Sequence, residues 1–175
     1  MSELATVSAR NTLVLREATD LDWGLIRRWL NLPAVQKWWG PASATESEVI
    51  QALGADYALA RIIEWRGRAV GYGHAIDALA WGQDLPSCLE PGTWEIDAFI
   101  ADPDTRGIGL GQSALEMLRS ELYATTFATA ACVFTPIANE AGVRAYERIG
   151  FEWRQIWHDP IAGPMWLLIN ERPHP

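Results

Sequence analysis

A short run of alternating glycines, Gly107, Gly109 and Gly111, follows Arg106 and could bind an anion. The run lies between a strand-like segment and a helical one. Glycines let backbone N–H groups approach an anion closely, and the N terminus of a helix adds partial positive charge. The spacing therefore predicts a phosphate-binding turn, the alternative being a turn that merely joins strand to helix. A dinucleotide fingerprint and a P-loop would both need glycine at position 112, so Gln112 excludes both.

Two carboxylates lie inside the apolar, strand-like segment 93–101 that precedes this turn. Asp97 and Glu95 are two residues apart, so a strand would place both on one face. A buried carboxylate is costly unless it is paired or used chemically. We expect Asp97 to act as a general base or to bind substrate, with Glu95 sharing the site. A strand end that faces solvent is the alternative for Asp97.

Hydrophobic periodicity and turn residues predict the elements that position these groups. Thr19 and Asp22 form a capping-box pattern ahead of a helix that Pro33 ends. The apolar stripe of this helix consists of Leu21, Leu25, Trp29 and Leu30. A short helix or turn follows at 33–41, and another helix begins at a cap on Ser43 or Thr45.

The remaining pattern alternates between strands, helices and one long loop. Strands are predicted at 12–17, 57–65, 68–77, 93–101, 127–135, 151–157 and 165–170, later helices at 112–123 and 139–149, and a loop at 78–92. Loops of that length inside a compact domain are often functional. Because strands and helices mix without strict alternation, we expect an α+β fold with one largely antiparallel sheet.

Composition narrows the class of protein. The chain has 175 residues, 22 acidic against 14 basic side chains and a formal net charge of -8. We expect one domain over 12–175 behind a flexible lead-in at 1–11. The charge argues against nucleic acid and favours a cationic ligand, although an acidic surface also serves solubility. Cys88 and Cys132 are far apart, and neither a secretory leader nor a membrane span is evident, so we expect free thiols in the cytoplasm.

A second segment gives the glycine turn a context. Residues 139–151, NEAGVRAYERIGF, lie on the next predicted helix. Together with Arg106 to Gly111, this segment resembles the two cofactor motifs of the GNAT acyltransferase superfamily. The resemblance departs at Gly142, where the pattern usually has alanine. It implies the GNAT fold, a twisted mixed sheet that is mostly antiparallel, splayed into a V and flanked by helices. It also implies acetyl-CoA as co-substrate.

The resemblance assigns expected roles to individual residues. The pantetheine arm would pair with backbone at Phe99 and Ile100, and Asn139 would bond to it. The pyrophosphate would lie on the residues of the glycine turn: Arg106, Gly107, Ile108, Gly109, Leu110, Gly111 and Gln112. Tyr146 would stand near the thioester sulfur as the candidate acid, the alternative being a tyrosine that packs the helix on the sheet. The chemistry implied is direct attack by a neutral amine on the thioester carbonyl, in which a general base helps.

Three further segments, at 38–40, 67–72 and 91–97, resemble the aminoglycoside 6'-N-acetyltransferase branch and its siderophore-acylating relatives. In that branch the aspartate at the position of Asp97 is the favoured base. The resistance enzymes also carry an acidic residue just before the second motif. Here Phe134 or Thr135 occupies that place, so one anionic contact for an aminoglycoside ring is missing.

The residues that we expect to line the binding site of the acetyl acceptor, the acceptor wall, are aromatic and acidic, which suits a small cationic amine. It comprises Trp38, Trp39, His74, Trp81, Asp84, Glu90, Trp94 and Glu95. Each has a structural alternative: His74 could be a core histidine, and Trp81 could pin a surface loop.

Several other functions remain open at this stage. A siderophore-type acyltransferase would use a histidine–aspartate pair, for which His74 and Asp97 are the candidates. Acetylation of a peptide would need an open groove, and a non-catalytic acyl-CoA-binding domain could dispense with Asp97 and Tyr146. The histidines His74, His158 and His174 are dispersed, so no metal site is expected. Either a monomer or a homodimer is compatible with the sequence.

Overall fold

The computed structural model describes residues 13–81 and 84–173, so the predicted lead-in at 1–11 lies outside the described residues. Seven strands form one sheet. The strands are β1 (Leu13–Glu17), β2 (Ala58–Trp65), β3 (Arg68–Asp77), β4 (Thr93–Ile100), β5 (Ala130–Pro136), β6 (Glu152–Asp159) and β7 (Gly163–Glu171). The helices are α1 (Trp23–Leu30), α2 (Pro33–Trp39), α3 (Ala42–Ala52), α4 (Ala78–Trp81), α5 (Leu110–Thr125) and α6 (Glu140–Arg148).

The sheet has the order β1-β2-β3-β4-β5-β7-β6. Every neighbouring pair is antiparallel except β4 and β5, which are parallel. These two central strands pair only where Thr93–Glu95 meets Ala130–Cys132. Beyond Glu95 the β5 side of β4 is not paired with β5, which is the splay that the resemblance implies. The α+β fold with a mixed, mostly antiparallel sheet is therefore confirmed.

Helices pack on both faces of the sheet. On one face α1 and α3 cover β2, β3 and β4, with Ile26, Val49 and Tyr72 in a shared apolar cluster. On the other face α5 packs on β4 and β5 through Leu118 and Leu122. The helical faces and strand parities read from the sequence account for this layering, because each element buries one apolar stripe.

Several local predictions need correction. Leu21 is 96% exposed, because residues Asp20–Asp22 form a separate 3-10 turn that rotates it away from the stripe of α1. The Asp22 carboxylate does accept a hydrogen bond from the Thr19 N–H at 2.9 Å, as the capping box predicts. The helix α3 begins after Pro41 without a side-chain cap from Ser43 or Thr45.

Two further boundaries differ from the sequence prediction. The segment 78–92 is not a pure loop, since α4 occupies its first turn. The strand predicted from residue 127 begins only at Ala130, and Phe127 is 98% exposed. None of the helices within the described ranges is long and apolar enough to cross a membrane.

Candidate active site

Three cross-strand pairs define one face of the sheet beside the splay. On β3 and β4, His74 lies opposite Asp97, Tyr72 opposite Phe99, and Ile76 opposite Glu95. Directly opposed residues of an antiparallel pair point to the same face. The prediction that Asp97 and Glu95 share a face is therefore met by the strand register.

Asp97 is half-buried and has two hydrogen-bond donors close to Oδ1. The backbone N–H of Ala98 donates to Oδ1 at 2.7 Å, and the hydroxyl of Tyr146 donates at 3.4 Å. Burial raises the pKa of Asp97 from 3.8 to about 7, a rise that His74 and the Ala98 N–H partly oppose. A carboxyl with a pKa near neutrality can both accept and release a proton under ordinary conditions.

Glu95 adds a second carboxyl to this face. Burial raises its pKa well above the usual range, and the negative charges of Glu48 and Asp97 raise it further. A cationic group placed between these carboxyls would favour their charged forms. The face is therefore suited electrostatically to an ammonium ligand.

His74 is a buried polar residue whose two ring nitrogens are both engaged. Its Nε2 lies 3.2 Å from Oε1 of Glu48, within ion-pair distance, and its Nδ1 lies 3.3 Å from the hydroxyl of Tyr72. The side chain is 1% exposed. Both the structural and the acceptor-side interpretations are thus compatible with its place: it is satisfied within the core and also lies opposite Asp97.

Trp39 covers this face as the prediction requires. Its ring packs against those of Phe99, His74 and Tyr72, with centroids 4.8, 5.2 and 6.1 Å away. Trp38 is not among the rings that pack on this face, and the Nζ of Lys37 lies 4.6 Å from the centroid of its ring. The side chain of Phe99 is buried in this aromatic group, so only its backbone could meet a pantetheine arm.

Trp94 does not belong to the acceptor face. Its ring is buried with Leu115 and Leu118 under α5, on the opposite face of the sheet from Asp97. Strand parity is the reason, because positions 94 and 97 are an odd number of residues apart. The sequence prediction for this residue is therefore corrected.

The segment between α4 and β4 places fewer of its predicted residues beside Asp97 than expected. Asp84 and Glu90 are exposed, and within the described residues neither forms a hydrogen bond or ion pair with the Asp97 group. Trp81 ends α4, but its side chain lies outside the described part of the chain. Its place in the wall stays a prediction.

The glycine turn has the geometry of an anion cradle. Gly107 and Gly109 adopt left-handed backbone angles, with φ of 77° and 87°, which side chains disfavour. Gly109 then begins α5, and no side chain of the described residues caps that end. The first N–H groups of a helix lack intrahelical partners, so those of Leu110, Gly111 and Gln112 are available to an anion.

The side chains of two residues of the turn, Arg106 and Leu110, are engaged within the protein. The Arg106 guanidinium donates to the carbonyls of Ile100 and Ala101, at 3.0 and 2.5 Å, so it ties the turn to the end of β4. The side chain of Leu110 is buried in the core, so only its N–H could serve a ligand. Ile108 is 60% exposed at the tip of the turn.

Asn139 is the N-cap of α6. Its Oδ1 accepts from the Gly142 N–H at 3.1 Å, and its Nδ2 donates to Oγ1 of Thr135 at 2.9 Å. A Cβ on residue 142 would lie 2.4 Å from that Nδ2. Alanine at this position would therefore force the Asn139 amide to shift, whereas glycine leaves that amide engaged within the protein.

The position of Tyr146 is compatible with both interpretations of its role, and the acid role stays a prediction. Its ring is buried against Phe151, with centroids 6.1 Å apart, while its hydroxyl reaches Asp97. Burial raises the pKa of Tyr146 well above its ordinary value, so the hydroxyl stays protonated. Within the described residues no group of three His, Cys, Asp or Glu side chains could hold a metal ion.

Sequence reasoning missed Glu48 and the hydroxyl of Tyr72. Glu48 is on α3, 26 residues before its partner His74, and no local spacing connects them. Tyr72 was visible only as part of a resembling segment. Strand parity with His74 is the signal that could have placed its hydroxyl on this face.

The comparisons with known proteins agree with this architecture. The chain matches the acetyltransferase (GNAT) domain over residues 18–158. It is 26% identical over 173 residues to an aminoglycoside N(6')-acetyltransferase type 1 of Klebsiella pneumoniae, and equally to one of Serratia marcescens; the match covers 94% of this chain and 86% of each relative.

Solved structures give the same result. Aminoglycoside acetyltransferase AAC(6')-Ib in complex with ribostamycin and coenzyme A superimposes with a TM-score of 0.79 at 27% identity, covering 92% of this chain and 94% of that one. Its complex with coenzyme A and kanamycin gives 0.78 at 26% identity, with 91% and 95% covered. An aminoglycoside N(6')-acetyltransferase of Legionella pneumophila shares the fold, with a TM-score of 0.71 at 17% identity. The chain is an acetyltransferase and belongs to the GNAT family.

Proposed function

We propose that this chain transfers an acetyl group from acetyl-CoA to a primary amine of a small cationic acceptor, of the aminoglycoside 6'-amine type, by direct attack in a ternary complex. The observation that carries the proposal is the place of Asp97. Its carboxyl is half-buried and has a pKa of about 7. It accepts a hydrogen bond from Tyr146 beside the splay and lies on the face that the aromatic rings cover. Relatives with 26% identity are named for acetylation of such amines.

The residues present fit acetyl-CoA. The open N terminus of α5 and the left-handed Gly107 and Gly109 would hold the pyrophosphate, with Ile108 and Gln112 beside it. The unpaired side of β4 at Phe99 and Ile100 offers backbone groups to the pantetheine arm. Asn139 and Arg106 support this site by fixing α6 and the turn rather than by reaching out. Acetyl-CoA supplies the acyl group as an activated thioester.

The protein's own groups handle the protons. An amine arrives as an ammonium ion and must lose a proton before it can attack, and Oδ of Asp97 receives it. The Tyr146 hydroxyl, held protonated by burial, is the donor that can stabilise the departing sulfur. The two groups are 3.4 Å apart, so the base and the acid of the reaction lie next to each other beside the splay.

The acceptor face is acidic and aromatic. Glu95 and Asp97 are carboxyls whose charged forms a bound cation would favour, and Trp39 provides a ring surface suited to cation–π contact. At the end of β5, where the resistance enzymes carry an acid, Thr135 is buried and hydrogen-bonded to Asn139. Phe134 packs against the apolar cluster that contains Leu167. The anionic contacts of this chain are therefore concentrated on the β3–β4 side of the site.

A second acceptor class is favoured by one specific observation. His74 lies opposite Asp97, the pairing expected of siderophore-type acyltransferases that modify a hydroxylated lysine or a similar amine. The same acetyl transfer would then act on a different small amine. Only the acceptor distinguishes the two functions.

An acceptor screen tests the proposal. The chain is incubated with acetyl-CoA and a panel comprising kanamycin, tobramycin, hydroxylated lysine and simple polyamines, and thiol release is followed. Turnover with an aminoglycoside supports the first acceptor class, and turnover with hydroxylated lysine alone supports the second. Absence of thiol release with every amine, while acetyl-CoA still binds, would instead indicate a non-catalytic binding domain.

A further inference from the structure

Glu48 joins the acceptor face from a helix that neither cofactor motif contains. It lies on α3, and its Oε1 is 3.2 Å from Nε2 of the fully buried His74, within ion-pair distance. Because the other nitrogen of His74 lies against Tyr72, the imidazole ring is fixed at both ends. The Glu48 carboxylate is therefore held in one place rather than free to move on the helix surface.

The second oxygen of Glu48 is differently placed. Its side chain remains 25% exposed, and Oε2 has no hydrogen bond or ion pair within residues 13–81 and 84–173. A carboxylate can accept several hydrogen bonds, so Oε2 keeps capacity for a donor from outside the protein. Its negative charge also reaches the reaction centre, since it raises the pKa of both Asp97 and Glu95.

We propose that Glu48 is a specificity-determining residue, which His74 holds through Oε1 and which binds a second cationic group of the acceptor through Oε2. This inference rests on the proposed function, because it concerns the same acceptor face. An acceptor with one amine would use Asp97 alone, whereas an acceptor with several amines would gain from Glu48 as well. The selected class is thus a small polycation with amines on more than one side of its reacting group.

The placement of Glu48 also accounts for the missing acid at the end of β5. Thr135 and Phe134 offer no negative charge there, so an acceptor with several amines needs its second anionic contact elsewhere. Glu48, on α3, would supply that contact. A carboxylate that the protein already holds through one oxygen loses little conformational freedom when its other oxygen binds a ligand, and this favours affinity.

The chain offers a matched control in Glu46. It is on the same helix, its side chain is equally exposed at 25%, and it pairs with Arg27 at 3.3 Å on the surface. Glu46→Gln and Glu48→Gln thus remove the same charge from the same helix at the same exposure. Only Glu48 contacts the acceptor face.

Calorimetric titration with two amines tests the proposal. Neamine carries four amines, and 6-amino-6-deoxyglucose carries one amine of the same kind. We expect Glu48→Gln to weaken neamine binding about tenfold, the effect of one lost charge-assisted hydrogen bond, and to change monoamine binding less than about twofold. Glu46→Gln should bind both amines as the native chain does. If Glu48→Gln does not fold, Glu48→Asp, which keeps the charge and shortens its reach, should show the same selective loss.

The other outcomes overturn the assignment. Equal weakening for both amines would mean that Glu48 only supports the fold of the site, and unchanged neamine binding would mean that it contacts no acceptor. A native chain that binds neither amine also contradicts the proposal. Thiol release is followed separately, so an active native chain without the selective loss removes the role of Glu48 and leaves the proposed function intact.

Discussion

Asp97 and His74 occupy directly opposed positions on β4 and β3, so both side chains lie on one face of the sheet, where the ring of Trp39 packs against that of His74. The neighbouring strand thus places a polar, fully satisfied ring beside the candidate base. Glu48 anchors that ring from α3, so three elements with little sequence proximity fix one small polar group. The close approach of β3 and β4 is what makes the arrangement possible.

Gly71 allows that approach, and its substitution should show it. A Cβ at residue 71 would lie 2.2 Å from the carbonyl oxygen of Phe99, a backbone atom that cannot move without separating the strands. We expect Gly71→Ala to lower the free energy of unfolding by about 2 kcal/mol or more, in the range of overpacked cores. Urea unfolding measures this change.

Gly24→Ala is the matched control for that variant. Its Cβ would meet only Nη1 of Arg28, at 4.0 Å, on the exposed side of α1. Alanine is the better helix former by roughly 0.5–1 kcal/mol, so this variant should gain stability. Similar stability changes in the two variants would contradict the role assigned to Gly71.

Gly142 and Asn139 should be energetically coupled. In the native chain, Gly142→Ala gains about 1 kcal/mol of helix propensity but displaces the Asn139 cap, which costs a similar amount. In an Asn139→Ala background nothing is displaced, so the same substitution should stabilise the protein by about 1 kcal/mol. A double-mutant cycle of unfolding free energies measures the coupling. Strict additivity would show that the cap and the glycine are independent.

Arg106 should act by holding the turn rather than as a simple positive charge. Its guanidinium donates two hydrogen bonds to backbone carbonyls, a geometry that lysine cannot reproduce. We therefore expect Arg106→Lys and Arg106→Gln to raise the KM for acetyl-CoA alike, by about tenfold. Steady-state kinetics with varied acetyl-CoA decides the matter. A nearly native KM in Arg106→Lys would show that charge alone is needed.

Asp97 should also weaken the fold as pH rises. Its pKa is about 7 in the folded protein against an ordinary value of 3.8, so between these values the unfolded chain releases a proton that the folded chain retains. Its contribution to stability is therefore fully present below about pH 4 and is lost as pH rises through about 7. The stability of Asp97→Asn relative to the native chain should rise between about pH 5 and about pH 8. Urea unfolding at the two pH values checks this, and an unchanged difference would contradict the raised pKa.

The sequence predicts those parts of the site that depend on local order. The glycine turn lies between a strand and a helix in the chain itself, and Asp97 and Glu95 share a face because strands alternate. The expectation that Trp94 lies on the acceptor face is wrong, and the same alternation of strand residues explains why it lies on the opposite face from Asp97. The position of Leu21 could not be derived, because a 3-10 turn and the first turn of an α-helix have similar capping patterns.

The contacts of Glu48 and the engaged amide of Asn139 depend on tertiary packing. The contact between α3 and β3 joins residues 26 positions apart, and helix periodicity gives only the polar side of α3, not its partner. Likewise the Asn139 amide has two possible uses, a helix cap or a ligand contact, and only the position of Thr135 decides between them. Such choices depend on neighbours that periodicity does not identify.

The role of Asp97 as the base is tested by the pH dependence of kcat/KM, compared between the native chain and Asp97→Asn with the best acceptor of the screen. We expect native kcat/KM to rise with pH through about 7, as Asp97 loses its proton, and then to level off. We expect Asp97→Asn to lower kcat/KM by about 10²-fold or more and to remove that rise, while acetyl-CoA binds as before. Native rates in Asp97→Asn, or an unchanged pH profile, would contradict the assignment of Asp97 as the base.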